Sequence, residues 1–125
     1  MNVVRESYDA GDFIFREGDT DVHFYIIEEG QVEVFTGADK SEEISIAKMG
    51  PGESFGEFAM LVRAPRSASA RAITTVSVVR VSEKGYEELL SQLPDWASCM
   101  LKSFADRLRG MNERLKAQPQ FLAKK

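Results

Sequence analysis

Apolar and polar residues alternate over much of the first two thirds of the chain. Gln31-Val32-Glu33-Val34-Phe35 and Ile44-Ser45-Ile46-Ala47 repeat with period two, the spacing of strands with one buried and one wet face. Residues 13–15, 23–28, 69–74 and 76–81 are further short runs that read as strands. Turn formers stand between them: residues 8–12, Glu17-Gly18-Asp19-Thr20-Asp21, Glu29-Gly30, the polar stretch 36–40 and Gly50-Pro51-Gly52. Short strands recurring about every 10 residues predict a mainly β sandwich, jelly roll or barrel over residues 3–82.

The period then changes. Tyr86, Leu89, Leu90 and Leu93 fall at helical spacing over 83–93, with Ser82 placed to cap the first turn. Pro94 and Asp95 suit the opening of a second, longer helix that runs to about Lys116. Its apolar positions are Ala97, Leu101, Phe104, Leu108, Met111 and Leu115, spaced 4, 3, 4, 3, 4, which is a heptad seam. Such a seam predicts a homodimer through Leu101, Phe104, Leu108, Met111 and Leu115; packing on the chain's own β layer is the alternative. Residues 1–117 read as one domain, and 118–125 as a flexible tail.

Composition narrows the chemistry. A chain of 125 residues with 43% hydrophobic content can bury a core without a disulfide or metal. Its longest apolar stretch, residues 58–62, is too short to span a bilayer, and no secretory signal is expected. A single cysteine, Cys99, fits a reducing cytoplasm, and its helical setting predicts a packed or partly buried thiol. The net charge of −4 argues against a broad grip on nucleic acid. With one histidine, His23, in a strand-like run, a three-imidazole metal site is excluded and a catalytic triad has no placed nucleophile. No catalytic or metal residues are expected, and a small cupin-like enzyme is the least supported reading.

The informative segment is residues 50–74, GPGESFGEFAMLVRAPRSASARAIT. Residues 58–62 read as one or two helical turns between strands. Gly56 just ahead of them lets a ligand approach the backbone, and a helix start favours an anion. Arg66, ten residues beyond Gly56, carries a guanidinium able to grip a phosphate through two parallel hydrogen bonds. Glu57 would repel a bare phosphate, but it suits a ligand that also offers sugar hydroxyls. Small side chains at Ser67, Ala68, Ser69, Ala70 and Ala72 leave room alongside. A surface ion pair between Glu57 and Arg66, with no ligand, would give the same spacing.

Phe55-Gly56-Glu57-Phe58-Ala59-Met60-Leu61 followed by Pro65-Arg66-Ser67-Ala68-Ser69 resembles the phosphate-binding cassette of the cyclic nucleotide-binding domain family. Residues 11–19 and 24–34 resemble its first two hairpins, so the likeness covers roughly Tyr8 to Leu115. It implies a β-roll (a double-stranded β-helix or jelly roll) with a short phosphate-binding helix, then hinge and lid helices, and binding of cAMP or cGMP. It implies that Glu57 accepts from the ribose 2′-hydroxyl and that Arg66 holds the cyclic phosphate. Gly56 and backbone amides around Phe58, Ala59 and Ala68 would line the sugar-phosphate, and Ser67 would add a phosphate or purine contact. Val34 and Ile46 would wall the base or sugar. Arg107 would support the cassette glutamate, and Met111 and Asn112 would touch the base. Arg66-Ser67-Ala68 resembles bacterial cAMP-responsive relatives, so cAMP is expected over cGMP.

Phe58 stands where the family usually has an aliphatic residue. No helix is expected ahead of the first strand, and only eight residues lie beyond Ala117, so the likeness to bacterial activators is not expected to carry DNA binding. A regulatory, non-enzymatic module with an unknown effector protein is expected. The alternative is an interaction domain of the same fold that has lost nucleotide binding.

Overall fold

The computed structural model describes residues 3–37 and 42–117, with side chains through Met111. Eight strands and three helices follow one another: β1 (Val3–Tyr8), β2 (Phe13–Phe15), β3 (His23–Glu29), β4 (Val32–Thr36), β5 (Ile44–Met49), β6 (Ser54–Phe55), α1 (Glu57–Val62), β7 (Ser69–Ala72), β8 (Val76–Ser82), α2 (Glu83–Ser91) and α3 (Asp95–Ala117). The strands form two antiparallel four-stranded sheets, ordered β1-β8-β3-β6 and β2-β7-β4-β5. Phe15, Tyr25, Ile27, Val32, Phe55, Ala70, Ala72, Val76 and Val78 fill the space between them. The fold is a β-roll followed by helices. The expected strands are present, with β7 ending at Ala72 because the next residues turn: Gln31 exchanges hydrogen bonds with Ile73 N–H (2.8 Å) and Thr74 Oγ1 (3.1 Å). The polar stretch 36–40 lies in part, and the tail 118–125 wholly, outside the described residues.

One irregularity shapes the edge of the second sheet. Val34 pairs with Ala47 but Phe35 pairs with Ser45, so Ile46 is the extra residue of a β-bulge on edge strand β5. The period-two reading therefore fails at this point. Val32 and Phe35, three apart, are both buried, and Ile46 is 59% exposed.

Helix α2 keeps its predicted cap, while α3 begins at Asp95, one residue after Pro94. Ser82 Oγ accepts from Gly85 N–H at 3.0 Å and opens α2, and Pro94 O accepts from Ala97 and Ser98 at the start of α3. Helix α3 packs on α1 through Ala105, which is 4% exposed. Arg109 Nε donates to Leu61 O at 2.5 Å, closing the C-terminal end of α1, while Asp106 accepts from its Nη1 at 2.7 Å. Much of the heptad seam stays outside this contact: Leu101, Phe104 and Met111 are 37%, 48% and 46% exposed, while Ala97 and Leu108 are half-buried. The Leu115 side chain lies outside the described residues. Cys99 corrects the sequence reading, for its thiol is exposed; the face toward α1 and α2 is formed by Ser98, Lys102, Ala105 and Arg109. Among the described residues no helix is long and apolar enough to cross a membrane.

Candidate functional site

Aromatic packing sets the position of the cassette. Phe55, at the end of β6, stacks on Tyr25 with centroids 5.1 Å apart and rings 14° from parallel, and meets Phe15 at 6.0 Å. Such pairs contribute about 1 kcal/mol each beyond burial. They fix the backbone where it turns into α1. Gly56 makes that turn at φ +85°, a conformation that a side chain disfavours. A Cβ here would also stand 2.9 Å from Arg66 Nη1 and 3.2 Å from the Phe15 ring.

Arg66 is 2% exposed and held on several sides. Its Nε and Nη2 donate to the two Asp21 carboxylate oxygens at 3.2 and 2.6 Å. Nη2 also donates to His23 O and Nη1 to Gly56 O, each at 2.6 Å, and the guanidinium lies over Phe15, 4.0 Å from the ring centroid. Partial burial raises the Asp21 carboxyl, but hydrogen bonding and charge from Arg66, with His23 adding to them, hold it below its ordinary value. A guanidinium has five N–H donors. Four are engaged here, leaving one N–H on Nη1 for another acceptor.

Glu57 opens α1 and does not pair with Arg66. Its Oε2 is buried and has no hydrogen-bond partner among the described residues. The surface ion pair that the spacing allowed is therefore absent. A buried acceptor left unmatched costs about 1–3 kcal/mol, more if charged. A ligand donor would remove that cost.

These groups share one cavity of about 150 Å³, lined by Gly56, Glu57, Phe58, Ala59, Arg66, Ser67, Ala68 and Val34 together with Phe15, Met49 and Phe55. The other expected residues lie elsewhere. Ile46 is on the bulge and is not part of the lining. Arg107 is exposed and sits 5.6 Å from the Phe104 ring, not against Glu57. Met111 is exposed, and the Asn112 side chain lies outside the described residues. A larger hollow of about 420 Å³ is lined by residues of α1, α2 and α3, but neither Glu57 nor Arg66 lines it. The sequence reading missed Asp21, the partner of Arg66 from 45 residues away, and Arg109, the arginine that α3 actually sets against α1.

Residues 5–93 match the family model described as the cyclic nucleotide-binding domain. The chain belongs to that family. It is 34% identical over 105 residues to the cyclic AMP receptor protein of Thermus thermophilus, covering 84% of this chain and 49% of that one. It is 33% identical over 114 residues to the type II regulatory subunit of the cAMP-dependent protein kinase of Drosophila melanogaster, covering 84% of this chain and 30% of the subunit. Among solved structures it is similar to the EAL enzyme Bd1971. The cAMP-bound form matches with TM-score 0.68 and 34% identity over 87% of this chain and 29% of that one. The cGMP-bound form matches with TM-score 0.69 and 33% identity over 90% and 30%. This domain of the family thus spans half or less of the length of these relatives.

Proposed function

We propose that this domain is a regulatory sensor of the cytoplasm that binds a cyclic nucleotide, cAMP in preference to cGMP, and has no catalytic role of its own. The observation that carries the reading is the unmatched Glu57 Oε2, opening on the same cavity as Arg66. A cyclic nucleotide brings both missing partners. Its ribose hydroxyl donates to Glu57, and its phosphate accepts the remaining Arg66 N–H, with Ser67 and the backbone around Gly56, Phe58, Ala59 and Ala68 alongside. The relatives support the choice of ligand: two carry cAMP in their names, and Bd1971 has been solved with cAMP and with cGMP. The preference for cAMP rests on Arg66-Ser67-Ala68.

The cavity of about 150 Å³ is smaller than the roughly 300 Å³ of ordinary ligand pockets, so the purine must extend beyond it. We infer that the purine meets Val34 and Ile46, and that binding draws α3 over it, bringing Arg107, Met111 and Asn112 toward the ligand. This is a population shift driven by tighter binding to the closed arrangement. The exposed seam of α3 would meanwhile seat a second copy, and movement of α3 would carry the signal to an effector protein.

Thermal unfolding of nucleotide-free protein tests the binding. Nucleotide at 100 times its dissociation constant adds about 2.7 kcal/mol, a melting shift on the order of 10 °C at this length. The shift is expected with cAMP and, at equal concentration, to be smaller with cGMP. No shift with either nucleotide overturns the reading.

A further inference from the structure

Behind Arg66, away from the ligand cavity, lies an open basin lined by Tyr8, Asp19, Asp21, His23, Tyr25 and Arg80. The Phe15 side chain borders both hollows. The one histidine of the chain stands in this basin. Its Nδ1 is 3.7 Å from Asp21 Oδ2, the same oxygen that accepts the 2.6 Å hydrogen bond from Arg66 Nη2. The His23 carbonyl accepts a second bond from that Nη2. The imidazole, the carboxylate and the Arg66 guanidinium thus form one chain of contacts.

We propose that His23 is a proton-binding site coupled to the nucleotide site, so that the domain binds its ligand more tightly as pH falls from about 8 to 6. The inference rests on the nucleotide reading above. A phosphate anion arriving at Arg66 takes a share of the guanidinium charge that now serves Asp21. Asp21 is left less compensated, and an imidazolium beside it makes up the difference. The same positive charge also attracts the ligand anion directly. Both effects have one sign: protonation favours binding.

The other groups facing His23 do not oppose this. On β1, Tyr8 donates to Glu6 at 2.8 Å; on β8, the Arg80 charge is matched by Glu6 at 3.0 Å. Burial first, and nearby Asp21 after it, raise the Tyr25 hydroxyl to about 12; burial and the bond to Glu6 raise Tyr8 further. Both phenols stay neutral in the window. Asp19 and Asp21 add negative charge to the basin from the turn before β3. Imidazole is the side-chain type of this basin that changes charge between about pH 5 and 8.

Linkage makes the effect readable from either side: the factor by which the proton tightens the nucleotide equals the factor by which the nucleotide tightens the proton. Calorimetric titration of the untagged protein with cAMP should give affinity about fivefold higher at pH 6 than at pH 8, with net proton uptake near pH 7. His23→Gln should abolish both the slope and the uptake. A slope that survives His23→Gln, or a wild type with none, overturns the proposal. Should the variant fail to fold, the wild type still decides. Its lone imidazole gives one Cε1–H proton resonance, whose titration midpoint should rise by about 0.7 pH unit when cAMP saturates the site. An unmoved midpoint overturns the coupling. Absence of binding at every pH would instead strike down the nucleotide reading itself.

Discussion

The cavity at the start of α1 and the outer face of α3 stand in opposite states. Around the cavity, Arg66 is buried and bound on several sides, Phe55 and Phe15 are locked by ring contacts, and Glu57 Oε2 has no partner among the described residues. On α3, the side chains that the sequence marks for function, Arg107 and Met111, lie in solvent with Leu101 and Phe104. A preorganised anion site needs little rearrangement to accept a ligand. A helix with its apolar stripe uncovered is available to move or to be covered. In the function proposed above, the contrast would separate a part that recognises from a part that responds, and substitutions on the two sides should behave differently.

Arg66→Ala should have the largest effect, because it acts on both stability and binding. It leaves half-buried Asp21 without its cation and takes one donor away from each of the Gly56 and His23 carbonyls. The fold should lose about 3 kcal/mol, measured by urea unfolding. Nucleotide affinity should fall by a further 2–5 kcal/mol, taking binding to roughly the edge of detection by calorimetry. The pair also sets an acid limit. The Asp21 carboxyl is held below its ordinary value, so its contribution is present above the ordinary carboxylate range and is lost as pH falls through the depressed value. The variant should therefore lose less stability on acidification than the wild type. Unaltered stability together with normal binding would mean that Arg66 is not the anchor described here.

Glu57→Gln should divide the two properties. No hydrogen bond within the protein is lost at Oε2, so stability should stay within about 0.5 kcal/mol. The ribose contact loses its charge, and affinity should drop by about 1.5–3 kcal/mol. A variant that unfolds readily, or one that binds as tightly as the wild type, would show that the carboxylate is structural or idle.

How much of this could be seen in the sequence depends on the distance over which each residue acts. Gly56, Glu57 and Arg66 lie within eleven positions of one another, and the turn, the short helix and the loop after it place them by local geometry. Asp21 reaches Arg66 only because the two sheets bring the turn before β3 beneath the cassette, and nothing nearby distinguishes it from Asp19. The bulge at Ile46 is a matter of register between β4 and β5, which alternation alone does not reveal. On α3 the error has a geometric cause. Arg107 and Arg109 are two residues apart, so they point about 200° away from each other around the helix. The seam pattern identifies an apolar stripe but not which neighbouring face meets α1.

Only a small change in stability is expected on that stripe. Leu101→Asp with Phe104→Asp replaces two side chains that are 37% and 48% exposed and remote from the cavity lining. Loss of the fold should amount to about 0.5 kcal/mol or less per site, since surface substitutions rarely cost more. Assembly is what should change. If α3 pairs along its heptads, two carboxylates per chain in the seam put like charges into a desolvated contact, and the dimer should dissociate. Sedimentation equilibrium should then give twice the chain mass for the wild type and the single mass for the variant. The thermal shift with cAMP tests the division again. Retained in the double variant, it places recognition wholly on the roll. A shift lost along with the dimer would mean that the second copy helps to build the nucleotide site, and the separation between the two regions would fail.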